Sequence, residues 1–362
     1  MRHGVRASVF RRDSVAWELA RAILVLLAIV GTTAFLLLVG GYDVGNGLAA
    51  LWRGSLGSWY AFTSATLVRA IPLMLTGVAV AVAFRAGVLN IGAEGQLLVG
   101  AAAATAVALS LAGLPAPMVV ALALIGSAAG GAGWASIAAF LRARFAVLEV
   151  ISTIMLNFVA LYAVSYLVRG PLQEPTHVYP QSSTIDDALH LSRFVGAGRL
   201  HSGLLLALGV SLVAGWVLRR TAAGFRLIAA GESPSAATSA GGIDVVATTP
   251  ATFLVSGALA GLAGGVEVLG VTFALYENIS PGYGYTAIAV ALLARLDPWR
   301  VAATALLFGG LEAGAGAMQR DAGVPSTLVT VIEAALILAV IAVGALRRRS
   351  PAADVATTPI AA

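Results

Sequence analysis

Polar side chains interrupt an apolar part of the chain between residues 84 and 101, which reads FRAGVLNIGAEGQLLVGA. Asn90 and Gln96 are amides and Glu94 is a carboxylic acid, and glycines separate them. In a membrane such groups are costly, so they either satisfy freed backbone groups or line a route for polar solutes. The stretch predicts a broken helix beside a translocation pathway; an ordinary loop between two spans is the alternative.

A second interruption lies in the other half of the chain, at residues 276–287, with the sequence YENISPGYGYTA. It combines glycines and a proline with polar side chains, among them Tyr285. Paired Gly- or Pro-interrupted segments in the two halves of a membrane protein indicate a transport pathway. A plain outer loop is the alternative interpretation.

Two isolated polar residues inside apolar runs are further candidates for the pathway. Glu267 follows SGALAGLAGG, whose small residues let helices approach closely, so it could line the pathway or pack between helices. Asn157 in ISTIMLNFVALY is a lone amide, for which a hydrogen bond between two helices is the alternative.

The composition identifies the elements that must position these residues. The chain of 362 residues is 59% hydrophobic and 11% charged, whereas soluble domains carry about 25% charged residues. This indicates an all-α, polytopic bundle of transmembrane helices. All 22 basic residues are arginine, so a P-loop ATPase, which needs a lysine, is excluded. Cysteine is absent and the four histidines have no metal-site spacing, so we expect no metal, and no nucleic-acid partner.

Apolar runs and arginine positions predict about ten spans with two broken or re-entrant segments. The first run is too long for a signal peptide and is interpreted as an uncleaved span. Because cytoplasmic ends collect arginine, we expect both termini inside. The predicted organisation is a tail at 1–21, a permease domain at 22–346 with an outer loop at 170–200, and a tail at 347–362. The predicted spans are 22–40, 60–84, 93–113, 117–141, 148–168, 201–218, 245–272, 284–296, 299–318 and 325–346.

A long inner loop at 219–244 has its own organisation. Ser233 followed by Pro234 is typical of a helix start, and Gly241 with Gly242 would end that helix. Its small residues suit it to lie in a groove on another protein, although a plain surface helix is the alternative.

Four stretches together resemble the inner-membrane permeases of bacterial ABC importers, especially the nucleoside type associated with BMP lipoproteins within the nucleoside and simple-sugar branch. The stretches cover most of the chain from about residue 60 to 345 in the same order. They are VLNIGAEGQLLVGA (88–101), AAGESPSAATSAGGI (229–243), SGALAGLAGGVEVLG (256–270) and GYGYTAIAVALLARLDPWRVAATALLFGGLEAGAGAMQ (282–319).

The resemblance implies a bacterial plasma-membrane protein that imports nucleosides, or alternatively simple sugars such as ribose. It implies a second related permease, with which the chain forms a heterodimer, and an ATPase subunit. Because the ATPase subunit consumes the ATP, the chain itself needs no cofactor and is no enzyme. A substrate-binding lipoprotein delivers the substrate. The helix near residues 231–241 would be the coupling helix that contacts the ATPase, with Ser233 where the family carries asparagine. The implied coupling residues are Gly231, Glu232, Ser233, Pro234, Ala236 and Ala237.

One alternative of a different class is a self-contained secondary transporter with Glu94 or Glu267 as its proton site. Such a transporter needs no coupling helix, so the 219–244 loop discriminates between the two hypotheses. A membrane-embedded enzyme has no support, because no catalytic pair stands at short spacing.

Overall fold

The structure, a computed structural model, describes residues 23–111, 113–194, 198–239 and 241–345. Within these ranges the chain forms helices and isolated β-bridges but no β-strand, which confirms the all-α prediction. The two predicted tails, 1–21 and 347–362, lie outside the described residues.

Thirteen helices follow one another along the described chain, and two of them contain a π-helical turn, at Phe62–Thr66 and at Val268–Thr272. A single 3-10 turn, Asp187–Leu189, interrupts the long connection after the sixth helix. The helices are α1 (Ile23–Val39), α2 (Val44–Ser55), α3 (Trp59–Arg85), α4 (Ala93–Ser110), α5 (Ala116–Phe145), α6 (Glu149–Arg169), α7 (Gly203–Arg220), α8 (Ala222–Glu232), α9 (Pro234–Ser239), α10 (Val245–Thr272), α11 (Tyr283–Leu293), α12 (Pro298–Asp321) and α13 (Ser326–Ala345).

Seven of the described helices are long and apolar enough to cross a membrane: α3, α4, α5, α6, α7, α10 and α12. The count of ten is therefore not confirmed. Three predicted runs form α1, α11 and α13, which are not among the seven. The run at 284–296 differs most, because its helix, α11, has only 11 residues.

The described chain divides into two compact units, of which the smaller contains residues 23–49 and 318–345. Within it, α1 buries Ile29 and Leu37, and α13 buries Ile332. Gly40 follows α1, and a Cβ there would lie 2.9 Å from Leu328 Cδ2, so α13 packs closely on this end of α1.

The larger unit, residues 50–317, has α3 at its centre. Nearly every residue of α3 between Val68 and Ala83 is buried, as expected for a helix that is apolar all round. Helices α4, α5 and α10 pack against one another through glycines. A Cβ on Gly131 of α5 would lie 2.6 Å from Gly261 Cα of α10, so only glycine permits this approach.

Candidate functional site

Residues 86–92, called the first break below, separate α3 from α4 without helical structure. Glycine at position 87, with φ of 70°, follows the end of α3 in the left-handed conformation that glycine adopts without strain. Val88, Asn90 and Gly92 are buried. The structure thus confirms the predicted interruption in the 84–101 stretch, and its partly buried backbone distinguishes it from an ordinary surface loop.

Asn90 and Gln96 form the centre of a buried amide network. Each amide donates to the other, with both nitrogen–oxygen distances 3.0 Å. Asn90 also donates to Ser256 Oγ of α10 at 2.9 Å, and Ser256 donates to the Ala79 carbonyl of α3 at 2.9 Å. The network therefore joins the first break to two neighbouring helices.

Asn157 of α6 connects the first break to α11. Its Oδ1 accepts from the Gly95 backbone nitrogen at 2.8 Å, and its Nδ2 donates to the Ile91 carbonyl at 3.0 Å. The same nitrogen lies 3.3 Å from the hydroxyl of Tyr285, to which it donates. The side chain is buried, so these bonds replace water that the amide would otherwise need.

Glu94 lies where α4 and α11 begin side by side. Its Oε2 accepts from the Gly284 backbone nitrogen at 2.7 Å, and the side chain is 7% exposed. A Cβ on Gly284 would lie 2.7 Å from the Ala93 carbonyl carbon, so the two helix starts meet backbone to backbone. A carboxylate is favourable here because both helix N-termini carry partial positive charge.

The segment between α10 and α11, residues 273–282, is called the second break below. Ser280 supports the turn into α11, since its hydroxyl accepts from the backbone nitrogens of Gly282 and Tyr283 at 3.1 and 3.0 Å. Ser182, in the long connection after α6, exchanges hydrogen bonds with the Leu275 backbone at 2.7 and 2.9 Å. These bonds tie the second break to the 170–202 connection.

Helix α6 is also held at each of its ends. At the first end, Glu149 lies 2.5 Å from Arg142 Nη1 and accepts from the Leu89 backbone nitrogen at 3.1 Å. At the other end, Glu277 of the second break accepts from Arg169 at 2.6 and 3.1 Å and from the Ser165 hydroxyl. These bonds from Arg169 and Ser165 lower the pKa of Glu277 to about 2.

The residues predicted to couple to the ATPase lie at the end of α8 and in α9, and most of them are exposed. Helix α9 begins at Pro234, as expected, and the Ala237 nitrogen donates to the Ser233 carbonyl at 2.9 Å. After α9, Gly242 adopts φ of 58°, in agreement with the predicted helix end. The loop is more helical than expected, because α8 occupies most of its first half. Within α9, Ala237 is buried while Ala236 is exposed.

Most of the predicted pathway residues come together, with one exception. Asn90, Glu94, Gln96, Asn157 and Tyr285 all surround the starts of α4 and α11. Tyr285 is the most accessible of them, at 44% exposed.

Glu267 lies elsewhere, buried at the beginning of the π-helical turn of α10. Among the described residues its carboxylate has no hydrogen bond to the cluster around α4 and α11.

Sequence reasoning missed Ser256 and Ser280, because a serine in a small-residue helix or a loop carries no distinctive signal. No three His, Asp or Glu side chains gather into a metal-binding group in the part of the chain that the structure describes.

Comparison with known proteins identifies relatives of the whole chain. A family model described as the permease component of branched-chain amino acid transport systems matches residues 62–341. The guanosine ABC transporter permease protein NupP of Bacillus subtilis is 38% identical, with 91% of this chain and 96% of that protein covered.

Two further relatives have comparable coverage. The glucose ABC transporter permease protein TsgB13 of Haloferax volcanii is 36% identical, over 91% of this chain and 88% of its own length. The nucleoside ABC transporter permease protein NupB of Lactococcus lactis is 32% identical, over 84% of this chain and 85% of its own. No solved structure matches the chain.

Proposed function

The chain belongs to the family of permease components of branched-chain amino acid transport systems, and we propose that it imports nucleosides. It is a multi-pass membrane permease of the ABC transporter class and a transport subunit rather than an enzyme. The substrate proposal depends on the guanosine permease, which is 38% identical over nearly the full length of both chains. The nucleoside permease of a second organism supports it.

Simple sugars are the second candidate substrate, favoured by the glucose permease at 36% identity. The two alternatives separate in an uptake assay with labelled guanosine in cells that lack the chain and in cells complemented with it. We expect complementation to restore uptake, and unlabelled nucleosides but not glucose to compete. Loss of glucose uptake with unchanged guanosine uptake would contradict the nucleoside proposal.

For the pathway, we infer that the cluster around α4 and α11 lies beside the substrate route. Tyr285 supports this, because its ring is 44% exposed while its hydroxyl is held by Asn157. An aromatic ring that is exposed and fixed can stack on a nucleobase. Asn90, Gln96 and Glu94 are buried and bonded, so they hold the helix starts in place.

In the membrane, we propose ten crossings: the seven long apolar helices, α1, α13, and one broken crossing formed by the second break together with α11. The membrane is the bacterial plasma membrane, and both termini are cytoplasmic. Arginines between spans support this orientation: Arg142 and Arg144 end α5, and Arg219 and Arg220 end α7, as expected for ends on the inner side.

The proposed partners are an ABC ATPase subunit, a second related permease and a substrate-binding lipoprotein. ATP is used by the ATPase, and the permease carries no cofactor. Helix α9 supports the ATPase contact, because it is short, exposed and built of small residues that permit close approach. Its sequence keeps the family spacing from Gly231 to Ala237, with Ser233 in place of asparagine.

A bulky residue on α9 tests this contact. In Ala236→Trp, we expect co-purification of the ATPase and substrate uptake to be lost while the permease still inserts, since an indole does not fit a groove shaped for a methyl group. Val178→Trp is the control, because Val178 is equally open to solvent but lies in the 170–202 connection. ATPase association and uptake that stay unchanged in Ala236→Trp would refute the coupling role of α9.

A further inference from the structure

The end of α8 rests directly on the first break through two glycines. A Cβ added to Gly87 would lie 3.1 Å from the Gly231 Cα, and one added to Gly231 would lie 2.7 Å from the Gly87 nitrogen. A Cβ on Gly231 would also overlap the Arg85 carbonyl oxygen, so Gly231 has no room for a side chain. At Gly87 the facing backbone would have to shift to admit one. Gly231 is the residue before the last of α8, and α9 begins three residues later.

The first break carries this contact onward to the rest of the site. Two residues after Gly87, the Leu89 backbone nitrogen donates to Glu149 at the beginning of α6. Asn90 then joins α10 through Ser256, and Glu94 receives the Gly284 nitrogen of α11. A displacement at Gly87 would therefore act on α6, α10 and α11 through hydrogen bonds made by the next seven residues of the chain.

We propose that Gly87 and Gly231 form a rigid joint through which movement of α9 reaches the first break. The proposal rests on the proposed function, in which α9 contacts the ATPase. Backbone against backbone transmits displacement without the compliance of a flexible side chain, and the packed elements on either side then move together. Gly231 and Gly87 act as positioning residues, since neither would touch the substrate.

The variant Gly231→Ala tests the joint most directly. Alanine favours the helix of α8 more than glycine does, so helix propensity gives no reason for α8 to unfold. Its methyl group forces α8 away from the first break. In complexes that still co-purify with the ATPase, we expect the substrate taken up per ATP hydrolysed to fall by about 2- to 30-fold, the range of coupling changes seen along such networks.

The matched control is Gly209→Ala in α7, where a Cβ would meet nothing within 4 Å. We expect this control to keep the wild-type ratio of uptake to ATP hydrolysis. An unchanged ratio in Gly231→Ala would overturn the joint while leaving the proposed function intact. A wild-type complex that shows no ATP-dependent uptake would instead refute the proposed function.

A second measurement uses the native complex and does not depend on how any variant folds. Hydrogen exchange of the backbone amides at 86–92 is compared with and without a non-hydrolysable ATP analogue. We expect the analogue to change exchange at the first break, because it moves α9 and hence Gly231. Exchange that changes in α9 but not at residues 86–92 would overturn the joint.

Discussion

The two breaks carry similar residues but are held in different ways. In the first break, Asn90 is fully buried and bonds to side chains of the interior. In the second break, Glu277 bonds to Arg169, whose side chain is 62% exposed, while the buried Ser182 holds the Leu275 backbone. The first is an interior network throughout, whereas the second lies near the surface at its Glu277 end.

This difference indicates which break tolerates change. Buried polar groups without partners are expensive, so the first break is stable only when every bond is made. An exposed ion pair contributes little, because water solvates its members when the pair separates. The second break can therefore open at the Glu277 end at low cost, while the start of α11, which follows it, stays attached to the start of α4 through Gly284 and Glu94.

The largest effect is expected in Asn157→Ala, which removes the support shared by the first break and the starts of α4 and α11. The Gly95 nitrogen, the Ile91 carbonyl and the Tyr285 hydroxyl each lose a partner. We expect the free energy of unfolding to fall by about 1–3 kcal/mol. A buried group without a hydrogen-bond partner costs that much in a soluble protein, and each hydrogen bond contributes less in a membrane, so three lost bonds together give this range. The free energy of unfolding is measured by unfolding the protein in mixed detergent.

Phe158→Ala is the control for that substitution, because Phe158 neighbours Asn157 on α6 but is half exposed. It should change the unfolding free energy by much less. If the two variants lose the same stability, the buried contacts of Asn157 do not hold the first break and the starts of α4 and α11 together.

An intermediate effect is expected at Glu94, where the starts of α4 and α11 touch. In Glu94→Gln the amide oxygen can still accept from the Gly284 nitrogen, so most uptake and stability should remain. Glu94→Ala removes the acceptor and should cost about 1–2 kcal/mol of unfolding free energy and most of the uptake.

Uptake and unfolding measured on both Glu94 variants separate two roles. If Glu94→Gln abolishes uptake while the protein folds normally, the charge itself is needed and Glu94 lines the route. The position of Glu94 on the route stays a prediction that this pair of variants tests.

The smallest effect is expected at the outer attachment of the second break, in Glu277→Gln. The pKa of Glu277 lies near 2, below the ordinary 4.5, so its contribution is present above pH 4.5 and disappears as the pH falls through about 2. Between mildly acidic and neutral pH, protonation of this carboxyl should therefore cause no pH dependence of uptake.

Measured thermal stability and pH profiles of Glu277→Gln should nearly superimpose on those of the wild type. A strong pH dependence of wild-type uptake that vanishes in Glu277→Gln would show that the outer attachment takes part in transport, and the comparison between the breaks would then be wrong.

Much of the fold could be predicted from apolar runs, since a helix must satisfy its backbone inside a membrane. The sequence also locates both breaks, because glycine, proline and polar residues stand out in apolar surroundings. The sequence could not show that the starts of α4 and α11 meet, since Glu94 and Gly284 are 190 residues apart and their contact depends on how α4 and α11 pack.

Shorter elements were harder to predict for a related reason. The run at 284–296 is apolar except near its ends, but its helix begins at Tyr283 and ends at Leu293, because Arg295 and Leu296 adopt positive φ. The contact between Gly87 and Gly231 left no mark in the sequence either. Glycine is frequent in this chain, and only the packing identifies which glycines meet.

The glycine contacts among α4, α5 and α10 have a thermodynamic consequence. In a membrane, apolar burial gives helices little reason to associate, because lipid tails are as apolar as side chains. Ordering a large side chain on association costs up to about 2 kcal/mol of conformational entropy, whereas glycine has no rotamers to lose. Where Gly131 meets Gly261, the helices gain van der Waals contact without that entropic cost.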